Sequence, residues 1–135
     1  MKIFKNLIDA AKSIQSQALA DYSGFHVGAA VQTASGEIFA GCNIESTSYG
    51  LSMCAERVAL FKALSEGHSE FTAIAIASDS GQPCPPCGAC RQVIWEHCQD
   101  IPVILVAGDG NHQTLQMSQL FPHPFDNKIW RDENS

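Results

Sequence analysis

The chain contains no long hydrophobic run. No apolar stretch approaches the length of a bilayer span, so a membrane-crossing helix is not expected. Basic residues are scarce. Eight Lys and Arg stand against 14 Asp and Glu, giving a formal net charge of −6. A duplex or tRNA binder usually carries a basic patch, and here the few cations are scattered, which argues against nucleic acid as a partner. The N-terminus lacks the apolar core of a signal peptide: Met1-Lys2-Ile3-Phe4-Lys5-Asn6 is followed at once by Asp9 and Lys12. The cytoplasm is the expected compartment. Neither an internal repeat nor a low-complexity tract interrupts the 135 residues. A single domain, 1–135, is expected.

What is present is apolar material for a core, 45% of the residues, and six cysteines. In a cytoplasmic chain with Cys-x-x-Cys spacing, metal binding is a better reading than disulfides. Two fragments carry it: Cys54-Ala55-Glu56-Arg57 and Pro86-Cys87-Gly88-Ala89-Cys90. They offer three thiolates to one metal. Structural zinc sites use four protein ligands, whereas three leave an open position, the pattern of a catalytic site. Water in such a position supplies hydroxide near neutral pH, and a neighbouring carboxylate can move its protons. Cys42, Cys84 and Cys98 remain. Cys42 and Cys98 read as packing residues. Cys84-Pro85-Pro86-Cys87 is itself a Cys-x-x-Cys, so Cys84 could replace one ligand, or make a fourth and close the site.

Hydrophobic periodicity predicts the elements. Phe4, Leu7, Ile8, Ala11, Ile14 and Ala18 give a helix over 3–19. Asp21 to Gly24 reads as a turn. Residues 27–33 and 37–43 read as a hairpin, 54–65 as a helix and 71–77 as a buried strand. Residues 87–98 read as a helix, 102–107 as a buried strand and 113–117 as an edge strand. Ser118 is the expected cap of a short turn at 119–121. Trp130 is expected to pack. This order gives an α/β layered domain.

Cys87 and Cys90 are three apart and neighbours on one helix face. Helix N-termini favour their thiolates, and Cys54 starts a helix in the same way. Three thiolates on Zn2+ leave a charge of −1, which weakens the metal as a Lewis acid. Arg57 is the candidate to offset it by hydrogen bonding to a ligand sulfur; a surface ion pair is its plainer role. Arg91 reads as structural or surface. Glu56 is either a generic first-turn acid or a proton shuttle facing the metal. Asn43 and Glu45 alternate at a strand end and can project to one side, where an amide and a carboxylate suit sugar hydroxyls. They could also be ordinary turn residues.

The chain resembles the short cytidine deaminases along nearly its whole length. Tyr22-Ser23-Gly24-Phe25-His26-Val27-Gly28-Ala29-Ala30, Gly41-Cys42-Asn43-Ile44-Glu45, the two cysteine motifs and Leu120-Phe121-Pro122-His123-Pro124-Phe125 follow that family's order. Its zinc constellation is Cys or His, then x-Glu, then Pro-Cys-x-x-Cys. The resemblance implies a three-layer α/β/α fold with a five-stranded mixed sheet. It implies one Zn2+ per chain on Cys54, Cys87 and Cys90, with Glu56 as the catalytic proton shuttle. It implies hydrolytic deamination of cytidine and 2′-deoxycytidine with release of ammonia, in pyrimidine salvage. Asn43 and Glu45 would bind ribose, Phe25 would flank the nucleoside, and Ala55 would offer backbone groups to the pyrimidine. Short members are homotetramers; Phe125 would then stack on the base from a neighbouring subunit, and Tyr49 would line a neighbour's site.

The chain departs from the family in places. Ser46-Thr47 stand where Asn-Ala is common, His123-Pro124 where Gly-Ala is common, and Cys84-Pro85 where a small polar residue often precedes Pro86. The sugar side and the C-terminal segment are thus altered, which keeps a modified or larger aminopyrimidine nucleoside of the blasticidin type in view. The non-enzyme alternative is a zinc-stabilised binding domain closed by Cys84.

Overall fold

The computed structural model describes residues 4–126; Trp130 lies outside them. Five strands form one sheet in the order β2-β1-β3-β4-β5. They are β1 (Val27–Thr33), β2 (Ile38–Cys42), β3 (Phe71–Ser78), β4 (Pro102–Val106) and β5 (His112–Gln116). β3 and β4 run parallel; the other pairs are antiparallel, so the sheet is mixed, as expected.

The period-2 pattern of the central strands assigns each face. Ala73, Ala75 and Ala77 of β3 and Ala30 of β1 pack with Leu7 and Ala11 of helix α1 (Lys5–Ile14). Small residues there let α1 lie close against the sheet. A Cβ at Gly28 would fall 2.0 Å from the Ala11 carbonyl oxygen. The opposite face is bulkier. Ile74, Ile76, Val103 and Leu105 pack against Leu60 of α2 (Ala55–Ser65) and Ile94 of α3 (Gly88–Cys98). There Gly41 of β2 brings α2 in: a Cβ would fall 2.5 Å from the Ala59 amide nitrogen.

Two boundaries differ from expectation. α1 ends at Ile14, followed by a 3-10 turn at Gln15–Gln17. Residues 18–20 are drawn into a strand-like bridge instead: Leu19 N–H donates to Asn43 O, and Glu45 N–H donates to Leu19 O. Tertiary pairing overrides helical periodicity there. The last helix, α4 (Met117–Leu120), is capped by Gln116, not Ser118. The Gln119 side chain returns to the Gln116 N–H at 2.8 Å, a capping box. Ser118 N–H is held by Asp100 at 2.9 Å.

Candidate active site

The two cysteine motifs sit where chain direction changes into helix. Cys54 is the N-cap of α2 and Cys87 the N-cap of α3, both with extended backbone, and neither thiol caps its own helix. Their sulfurs are therefore free to face a ligand. Cys90 follows in the first turn of α3 and is fully buried. The ligand atoms of Cys54, Cys87 and Cys90 all lie within 4.8 Å of one another, the one such group among the described residues. Two helix N-termini thus converge on one point, which favours negative charge there.

The donor set fits zinc. Tetrahedral ligands at ~2.3 Å from zinc lie roughly 3.8 Å apart. Cys54 and Cys87 sulfurs are 3.9 Å apart. Arg57 Nη2 donates to Cys54 Sγ at 3.5 Å, while its Nε–H is buried with no partner. An orphaned guanidinium donor beside three thiols is what a cluster of thiolates would satisfy. The site fits one Zn2+ per chain. Cys84 lies outside the group of three, which leaves the ligand set open.

The electrostatics follow from crowding. Hydrogen bonding from Cys90 and from Arg57 lowers the Cys54 thiol to about 5. Its neighbour Cys90 is pushed strongly upward, by its bond to Cys54 and by burial. The three sulfurs cannot all ionise side by side without a cation. Glu56 is 5% exposed. Burial, reinforced by the Cys54 charge, raises its carboxyl to about 7. A carboxyl so placed can both hold and release a proton near neutrality.

A cleft of about 280 Å³ opens onto these groups. Cys54, Cys87, Glu56, Ala55, Phe25, Asn43 and Glu45 all line it. Asn43 is also a cross-link: its Oδ1 accepts Val27 N–H at 2.9 Å and its Nδ2 donates to Phe25 O at 2.8 Å. Tyr49 and Phe125 do not line the cleft and are each 71% exposed. Tyr49 packs edge-on to Tyr22, with ring centroids 5.5 Å apart. Arg91 is structural, donating to Pro86 O at 2.8 Å and Leu120 O at 2.7 Å. The cleft is also lined by Ser23, Val27, Ile76, Ser78 and Pro85, which the sequence did not mark as site residues, and by Cys84, which stands in the wall. Ser78 had a signal, since it ends a buried strand that runs parallel to its neighbour, where α/β sheets place ligands.

Three converging thiols with an open side, a buried carboxyl near neutrality and an apolar-walled cleft define a metal-dependent hydrolytic centre on an α/β sheet. The sequence motif for the cytidine and deoxycytidylate deaminase zinc-binding region matches residues 1–106, and the chain belongs to that family. A cytidine deaminase of Halalkalibacterium halodurans is 48% identical over 120 residues, covering 88% of this chain and 91% of the relative. The crystal structure of cytidine deaminase from Burkholderia pseudomallei superposes with a TM-score of 0.86 at 45% identity, covering 89% of this chain and 97% of that one. A blasticidin-S deaminase of Bacillus cereus is 33% identical, over 72% of this chain and 74% of the relative.

Proposed function

We propose that the protein converts cytidine and 2′-deoxycytidine to uridine and 2′-deoxyuridine, consuming water and releasing ammonia. The observation that carries this reading is the placement of Glu56, buried in the cleft beside three grouped thiols. Zinc, when bound, supplies the Lewis acidity that makes a water nucleophilic at neutral pH. Cys54, Cys87 and Cys90 hold it. Glu56 takes a proton from the attacking water and gives it to ring N3 as the water oxygen bonds C4. Glu56 then takes the second proton from the hydroxyl now on C4 and passes it to the exocyclic amine; the C4–N bond breaks, the C4 oxygen becomes the carbonyl of the product, and ammonia leaves. Arg57 tempers the negative charge of the thiolates.

Phe25 flanks the nucleoside, Ala55 offers backbone groups to the pyrimidine edge, and Asn43 and Glu45 meet the sugar. The whole chain acts as one domain in the cytoplasm, in pyrimidine salvage. The exposure of Tyr49, Leu51 and Phe125, 71–75% each, supports assembly of copies. In a homotetramer Phe125 stacks on a base and Tyr49 lines a site in a neighbouring subunit.

Likeness to a blasticidin-S deaminase supports a second reading, a larger aminopyrimidine nucleoside as substrate. Turnover of cytidine against that antibiotic separates the two. The first experiment is ammonia release from cytidine by zinc-loaded protein, with Glu56→Gln as control. Release that vanishes in the mutant, with zinc retained, supports both reaction and shuttle. No release from a protein holding one zinc per chain would reject cytidine. Near-normal release by the mutant would remove Glu56 from the mechanism.

A further inference from the structure

Glu45 stands in the cleft wall with most of its accepting capacity already committed. Tyr22 and Ser23 N–H groups both donate to Oε1, each at 3.0 Å. Ser23 Oγ donates to Oε2. The direction of that last bond is fixed, because the Ser23 hydroxyl also accepts from the Phe25 N–H at 3.0 Å. Its single proton is therefore available to Glu45. A carboxylate offers about four lone-pair sites. Three donors fill three, and a vacant one remains on Oε2.

The turn that presents these donors is held from several sides. Gly24 sits at φ +69° and its N–H donates to Ala20 O at 2.8 Å. Tyr22 OH is hydrogen-bonded to Thr47 Oγ1. The same Ser23 also ties the backbone of Phe25, another cleft residue, to the carboxylate. The three donors keep Glu45 ionised: its pKa is lowered, chiefly by the Ser23 side chain and then by the Ser23 and Tyr22 amides.

We propose that Ser23 is a positioning residue for sugar recognition: its hydroxyl fixes the Glu45 carboxylate so that one remaining oxygen lone pair is aimed to accept a hydroxyl donor of the substrate. The inference rests on the reading above that Glu45 meets the sugar. A ligand without that hydroxyl leaves a prepared acceptor unmet, which is how a site rejects an analogue lacking a hydrogen-bonding group. Selection is thus for a hydroxyl-bearing pentose, and Ser23 acts on it through Glu45 without touching the base chemistry.

The test compares cytidine with 2′,3′-dideoxycytidine on the full-length, zinc-loaded chain. Ser23→Ala should shrink the preference for cytidine in kcat/KM by about 10-fold or more, as loss of a hydrogen bond to a charged group would. The change should be carried by KM. The pair Ser23→Thr and Ser23→Val have matched shape and differ by the hydroxyl alone, so the first should retain the preference and the second lose it. A variant that is merely loosened loses both substrates alike, and that outcome overturns the proposal, as does equal preference in the Thr and Val variants. Glu45→Gln separates the two levels. A preference that survives Glu45→Gln defeats the sugar-binding reading itself. A preference lost in Glu45→Gln but kept throughout the Ser23 series defeats the Ser23 inference alone.

Discussion

Arg57 reaches Cys54 across one turn of α2, with Nη2 3.5 Å from Sγ, and its Nε–H is buried without a partner. The buried Nε edge of the guanidinium is therefore turned toward the sulfur ligands. Truncating it leaves three crowded thiolates with less compensation. Arg57→Ala should weaken zinc binding about 10- to 100-fold, the usual effect of removing a supporting group around a metal site. Chelator competition on the purified protein measures it. An affinity equal to wild type would return Arg57 to a packing role.

Much of this arrangement could be read from the chain, and the reason is local. Cys54, Glu56, Arg57, Cys87 and Cys90 are set by two helix starts, and helix starts are written in short segments. The strands were equally legible, because β3 and β4 are continuous apolar runs. What the sequence left out depends on distant segments. The end of α1 is decided by pairing of Leu19 with residues 43–45, and the orientation of Glu45 by a turn more than twenty positions upstream. Asn43 was read as a sugar ligand, yet its amide is also spent on Phe25 and Val27 backbone.

Gly41 offers a test of how tightly α2 is seated. A methyl group there would meet the Ala59 backbone nitrogen at 2.5 Å, and backbone cannot yield as a flexible side chain can. Gly41→Ala should cost roughly 1–3 kcal/mol of stability by overpacking. Because α2 carries Cys54 and Glu56, turnover should fall as well, beyond what stability explains. Gly28→Ala, which collides with α1 on the other face, should lower the melting temperature with a smaller loss of turnover per degree. Equal losses would show that α2 tolerates the shift.

Asp79 gives a pH signature away from the metal site. Its Oδ2 accepts from the His26 backbone N–H and Nδ1, each at 2.8 Å, and Oδ1 accepts from Gln15 at 3.0 Å. These bonds, the His26 amide first, hold its carboxyl below the ordinary 3.8. A depressed folded value means stability present above the unfolded value and lost as pH falls through the folded one. The melting-temperature gap between wild type and Asp79→Asn should be full at pH 6 and close below about pH 4. The gap is small, since the pair is half exposed. A gap independent of pH would mean that shape, not charge, holds the turn.

The remaining cysteines divide by position. Cys98 and Cys42 are buried, and burial pushes the Cys98 thiol up to about 12. Cys84 is half-buried in the cleft wall and outside the group of three. With zinc bound, a thiol reagent should modify Cys84 first and leave Cys42 and Cys98 untouched in the folded chain. Chelation should then expose Cys54 and Cys87. Cys84→Ser should abolish the fast reaction and keep one zinc per chain. Release of zinc by that substitution would mean a closed four-cysteine site and would favour the non-catalytic reading.

Tyr49 and Leu51 share one 3-10 turn and are 71% and 75% exposed; Phe125 is 71% exposed. Large exposed apolar side chains such as these are covered by assembly in many proteins. Leu51→Glu puts a charge on the exposed Tyr49–Leu51 turn and should shift sedimentation toward smaller species. Leu51 lines no part of the cleft, so activity should fall only in step with dissociation. On the proposed homotetramer, in which Phe125 stacks on a base in a neighbouring site, Phe125→Ala should lower activity in the intact assembly. A dissociated Leu51→Glu protein with full turnover would show that each chain's cleft is complete on its own.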